Sequence, residues 1–142
     1  MSDIGIHRKG EVDFPTLLRR LREGAGGEVG AIGCFIGVVR GVSREDEKVK
    51  FLSYESAEDA WKKLQKIAGE IEARSGIKQV MIHHVVDQLG PGEDAVYVLV
   101  AGINRADVFK ALPEIMDRVK TEVPIWKKEA TEKGEYWVHE VR

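Results

Sequence analysis

The chain opens on an alternation. Ile4 and Ile6 stand either side of Gly5, so an apolar side chain recurs at every second position, and residues 4–7 are expected to form an edge strand. The period then changes. Leu17, Leu18 and Leu21 fall on one side of a short helix that Pro15 opens and Asp13 caps. Gly24-Ala-Gly-Gly-Glu-Val-Gly30 ends it as a turn; it follows a helix rather than a strand and lacks the lysine of a phosphate-binding loop. Residues 31–39 and 48–54 read as strands, joined by the polar segment Arg40-Gly-Val-Ser-Arg-Glu-Asp-Glu47. The clearest helix covers 57–74, where Trp61, Leu64, Ala68 and Ile71 recur at helical spacing before Gly76 stops it. Residues 80–86 and 95–103 are strands whose nearly continuous apolar character predicts cover on both faces, with Gly90-Pro-Gly-Glu-Asp94 as their turn. Asn104 caps a helix that begins at Arg105 and cannot run far past Thr121, given Pro124; Pro113 is expected to kink or split it. Residues 125–131 and 135–139 bracket a C-terminal β-hairpin.

Helices and strands that mix without strict alternation predict an α+β fold: one domain, 1–142, with a mixed or antiparallel sheet packed with two or three helices and the hairpin at its end. With 43% apolar and 32% charged residues, the composition is that of an ordinary globular protein. The net charge of −2 predicts neither a nucleic-acid nor a membrane partner, so any anion site must come from local clustering of cations. The N-terminus has no signal-peptide core, and no stretch approaches the roughly eighteen apolar residues of a membrane span. Cys34 is the single cysteine, which excludes an internal disulfide and a cysteine-built zinc site; a cytoplasmic location is expected.

The helix after Asn104 carries the first chemistry. At ~100° per residue from Val108, the apolar residues Phe109, Leu112, Ile115, Met116 and Val119 fill an arc from about −20° to 100°, with Arg105 inside it at ~60° and Lys120 on its edge at ~120°. A cation on the core side is either paired with a carboxylate or open to a cavity. Both readings stay open for Arg105, as does simple outward snorkelling for Lys120. In Lys120-Thr-Glu-Val-Pro-Ile-Trp-Lys-Lys-Glu129, proline turns the chain and two more lysines follow on an extended stretch, where one of them must share a side with Ile125 and Glu129. Arg40, at a strand end beyond Gly37, is a third candidate cation or else a surface residue leading into a loop. His83 and His84 face opposite sides of a strand and cannot jointly hold a metal; Cys34 lies in an apolar run and reads as packing; Ser43, Ser53 and Ser56 lack a nucleophile context. No metal site is expected.

These segments are recognisable together. Val123-Pro-Ile-Trp-Lys-Lys-Glu129, preceded by Lys120, resembles the signature of molybdopterin synthase large subunits. Gly33-Cys-Phe-Ile-Gly-Val-Val-Arg40, Tyr54-Glu55, Pro91-Gly-Glu-Asp94 and Asn104-Arg105 resemble further family segments in the same order. The resemblance implies the family's fold and its reaction. A small ubiquitin-like sulfur carrier presents a C-terminal Gly-Gly thiocarboxylate, and two such sulfurs convert cyclic pyranopterin monophosphate to molybdopterin, with no resident cofactor. It implies a homodimer of large subunits within a heterotetramer, in which pocket residues can cross the dimer interface.

Carried onto this chain, the resemblance assigns Lys120 to acid/base and electrostatic work beside the thiocarboxylate, Lys127 to holding the pterin or its phosphate, and Arg40 and Arg105 to anion binding. Phe35, Met116 and Glu129 line or support the pocket. Asn104 stands where the family usually has histidine; asparagine can hydrogen-bond but cannot exchange a proton near neutrality. That departure motivates a rival reading, a module that binds the carrier or the pterin without turnover. The turn before Pro91 is one residue longer than in familiar members and is expected to hold a bulge.

Overall fold

The computed structural model describes residues 2–138. Strand β1 (Asp3–His7) lies parallel to β4 (Ile77–Val85) at one edge of a four-stranded sheet of order β1-β4-β6-β2, in which β6 (Asp94–Gly102) and β2 (Ala31–Val38) run antiparallel to their neighbours. A second sheet has the order β5-β3-β7-β8, from β3 (Val49–Ser56), β5 (Gln88–Leu89), β7 (Ile125–Thr131) and β8 (Gly134–Trp137). The fold is α+β, with the strands divided between two sheets rather than held in one. The expected bulge before Pro91 is absent. Those residues instead form β5, which pairs with β3, and the register shifts fall at Gly37/Val38 on β2, Val49/Phe51 on β3 and Ile77/Gln79 on β4. The tail forms the expected hairpin; its anticipated last residue, His139, lies outside the described residues.

Helix α1 (Phe14–Gly24) is capped as its sequence requires, the Asp13 carboxylate accepting from the Thr16 N–H at 2.8 Å, and it buries Leu17 and Leu21. Helix α2 (Ala60–Glu72) starts later than its periodicity suggests and buries Ala60, Leu64, Ile67, Ala68 and Ile71; Trp61 falls outside that stripe and is exposed. Helix α3 (Arg105–Glu122) runs unbroken through Pro113, which lies on the exposed side, where water can serve the carbonyl that proline leaves without an N–H. Arg74 pairs with Glu114, and Arg118 with Glu70 at 2.8 Å, tying α2 to α3.

Alternation along β4 and β6 divides the core. Val80, Ile82, Val96, Val98 and Val100 pack under α2 and α3, while Met81, Val85, Tyr97 and Leu99 pack with α1 and the second sheet. Both faces are covered, as the continuous apolar runs predict. β2, at the sheet's other edge, is the exception: Cys34, Phe35, Ile36 and Val38 are exposed, so Cys34 is not the packing residue that its apolar run suggests. An uncovered edge strand with apolar side chains is an association-prone surface.

On the α1 face, Arg20 grips Asp3 through two bonds of 2.7 and 2.8 Å. His83 donates from Nε2 to Asp3 (2.8 Å) and accepts at Nδ1 from His7 (2.8 Å); Gly5, lacking a side chain, makes room for the two rings. Burial lowers the His83 pKa, which keeps this chain of bonds neutral at the imidazoles. No helix among the described residues is long and apolar enough to cross a membrane, and no group of three or more His, Cys, Asp or Glu side chains among them is placed to hold a metal.

Candidate functional site

Pairing register decides which lysine enters the site. On β7, Lys127 stands opposite Tyr54 and Glu129 opposite Leu52, so both share the face that Ile125 begins. Lys128 points the other way, its ammonium 4.8 Å from the Trp137 ring. The corner at Pro124 brings the last turn of α3 against the start of β7, and Lys120 and Lys127 border one cavity of ≈ 340 Å³. Phe35, Arg40 and Met116 border it too. A second lobe of ≈ 310 Å³ shares Val38, Arg40, Tyr54, Lys127 and Val138 with the first and adds Arg44 and Glu129. The two lobes form one groove with Arg40 and Lys127 at its waist. Glu129 accepts a 2.5 Å hydrogen bond from the Tyr136 hydroxyl, and that bond raises the phenol's pKa.

Asn104 and Arg105 lie elsewhere. Both are exposed at the N-terminal end of α3, Arg105 fifteen residues and about 22 Å of helix from Lys120. Asn104 occupies the N-cap position with extended backbone but makes no side-chain capping bond. Arg105 is neither buried nor ion-paired with a described residue, contrary to both readings of its place on the wheel. The core takes a narrower arc, Val108, Ala111, Ile115 and Val119, than the sequence suggests. Moreover, Cα–Cβ bonds tilt toward a helix's N-terminus, so a first-turn side chain leaves past the end of the sheet. Along the flank between the core and solvent run Arg105, Phe109 (65% exposed), Leu112, Met116 and Lys120, next to exposed β2. It is an apolar stripe with a cation at each end.

Two residues absent from the expected set also border the first lobe. Tyr54 holds its ring 6.0 Å from the Lys127 ammonium, and His84, 7% exposed, packs its ring 5.2 Å from that of Tyr54. Tyr54 belongs to one of the family-like segments, but only the pairing of β3 with β7 sets it beside Lys127. The single signal for His84 is its opposite facing to His83.

Residues 6–122 match the family model described as MoaE protein. A molybdopterin synthase catalytic subunit from Pyrococcus abyssi is 36% identical over 111 residues, 77% of this chain and 74% of that one. A probable molybdopterin synthase from Haloferax volcanii is 38% identical over 115 residues; the match takes in 78% of this chain and 43% of that protein, so the chain spans less than half of this relative's length. The crystal structure of molybdopterin synthase from Staphylococcus aureus superposes with a TM-score of 0.82 at 30% identity, covering 95% of this chain and 96% of that one. A family model that matches most of this chain, relatives above 30% identity and a shared fold make this chain a member of the MoaE protein family.

Proposed function

We propose that this chain is the catalytic subunit of a molybdopterin synthase, transferring sulfur from the C-terminal thiocarboxylate of a small ubiquitin-like carrier to cyclic pyranopterin monophosphate. The observation that carries the reading is the groove in which Arg40, Lys120 and Lys127, from three separate segments, border connected lobes of ≈ 340 and ≈ 310 Å³. Both reactants are anionic, and fixed cations in a partly enclosed space hold anions far better than the same charges in open water. Arg40 suits a phosphate or carboxylate through its fork of donors. Lys120 serves the reacting carbon and sulfur as acid/base and electrostatic stabiliser, and Lys127 holds the pterin or its phosphate. Phe35 and Met116 supply apolar wall, and Glu129, fixed by Tyr136, supports the second lobe. The sulfur arrives on the carrier, so the reaction needs no resident metal or cofactor.

Arg105 joins this site from a second copy of the chain. A two-fold axis across the flank of α3 and the open edge of β2 reverses the stripe, setting Arg105 of one copy toward Lys120 of the other. Asn104, beside Arg105 and free of a capping role, then binds by hydrogen bonding rather than by proton exchange. The test is reconstitution with thiocarboxylated carrier and the pterin precursor, with product followed by mass spectrometry. Dithiolene is expected, and Lys120→Ala should lower turnover at least 100-fold while leaving the melting temperature unchanged, because Lys120 is exposed. Carrier binding without product in the wild type would establish the non-catalytic module; full turnover in the variant would remove Lys120 from the chemistry.

A further inference from the structure

The pocket contains an acceptor that none of its cations can replace. β4 sends His84 to the face opposite His83, where its ring borders the first lobe beside Val96, Met116, Lys120 and Lys127. Its Nδ1 lies 3.0 Å from the Val85 carbonyl. A carbonyl oxygen only accepts, so Nδ1 carries the proton, and in a neutral ring Nε2 holds a lone pair. The ring stays neutral because burial disfavours the cation and the Lys127 ammonium pushes the same way; together they outweigh the Val85 carbonyl and push the pKa down to about 4.

Nε2 makes no hydrogen bond to a described residue, yet no buried side-chain nitrogen or oxygen among the described residues is sealed without a partner. Nε2 is therefore reached from the cavity. Arg40, Lys120 and Lys127 only donate, and among the described residues no carboxylate borders this lobe. Among the described residues, side-chain acceptance falls to His84 and the Tyr54 hydroxyl. A ligand made only of anionic groups would have no use for such an acceptor; a ring that combines an anionic substituent with N–H donors would.

We infer that His84 is a substrate-binding and specificity residue, whose Nε2 accepts a hydrogen bond from a ring N–H of the pterin while Arg40, Lys120 and Lys127 hold its phosphate and the thiocarboxylate. This rests on the function proposed above and adds to it the group that reads the heterocycle itself. The uncharged acceptor has a purpose here: a carboxylate in its place would form an ion pair with Lys127 and cancel the charge that the anions require. An unpaired donor left in an enclosed site is penalised heavily, so the acceptor discriminates against rings that lack a matching N–H as well as favouring those that have one.

The test uses the whole chain and cyclic pyranopterin monophosphate. His84→Leu should weaken precursor binding, measured by calorimetry without the carrier, and raise KM roughly tenfold, with kcat within about threefold; His84→Gln, which keeps an acceptor, should recover most of the loss. In the unaltered protein, nitrogen NMR should find His84 neutral with the proton on Nδ1 near pH 7, and the Nε2 resonance should move as precursor saturates the site. That measurement needs no variant to fold. Wild-type Kd and KM in a folded His84→Leu protein would overturn the inference, as would an Nε2 resonance unmoved at saturation. In either case normal turnover would leave the sulfur-transfer reading standing. Absence of both precursor binding and dithiolene formation in the unaltered protein would overturn the two together.

Discussion

A site built across two copies can be rebuilt from two broken ones. Arg105 and Lys120 stand fifteen residues apart on unbroken α3, about 22 Å along its axis, farther than their two side chains can bridge. One protomer therefore cannot bring both to the same ligand. In the proposed two-fold dimer each pocket would take Lys120 from one copy and Arg105 from the other. Homodimers of Lys120→Ala should be inactive, and those of Arg105→Ala should lose about 10- to 150-fold, the range for a charge-assisted contact of 1.5–3 kcal/mol. Because Arg105 is exposed and without an ion pair to a described residue, its removal should spare the fold. When the two variants are mixed and allowed to exchange, half of the dimers are mixed and each has one intact pocket, so activity should recover to about a quarter of wild type. The assay is product formation with excess carrier, alongside an independent measure of subunit exchange from two different affinity tags. Exchange without recovered activity would refute the shared pocket.

Two further outcomes concern stability. Gly33 sits where β2 passes beneath α3, and a Cβ there would lie 2.5 Å from Val108 Cγ1 and 2.7 Å from Leu112 Cδ1; Gly33→Ala should cost about 1–3 kcal/mol in urea unfolding, and a loss below roughly 0.5 kcal/mol would mean that the helix yields freely. The His84 pKa is lowered from 6.5 to about 4, so the unfolded chain takes up a proton that the folded one refuses: this contribution is fully present above pH 6.5 and lost as pH falls toward 4, by about 3 kcal/mol in all, and His84→Leu should show a correspondingly shallower acid limb, an unchanged limb counting against the buried neutral ring.

Much of this molecule is legible from its pattern. The apolar runs of β4 and β6 state their double cover, Asp13 and Pro15 announce α1, and the chain around Pro124 places Lys120 and Lys127 at one corner. What stays hidden depends on partners distant in sequence. The wheel for α3 treats all its apolar residues as core, but only the neighbouring sheet decides that Val108, Ala111, Ile115 and Val119 go under while Phe109 stays out. Arg105 is misplaced for the same reason, since a wheel has no ends and a helix does. Cys34 and Phe35 look buried because an apolar run does not reveal that its strand is an edge. β5 is too short to carry a period, and His84 gains its meaning only from the carbonyl and the ammonium that the fold sets beside it.

The groove draws its walls from β2, β3, β4, β6, α3, β7 and β8, so its described residues come from both sheets and from positions 35 to 138. No single helix or strand supplies even half of its described lining, and no sub-assembly short of the closed topology can retain a weakened version. Contacts so remote along the chain form late and together, after the long loops between them have been closed. Competence therefore arises in one step with the last docking of strands, and a nascent or partly melted chain is chemically silent rather than sluggish.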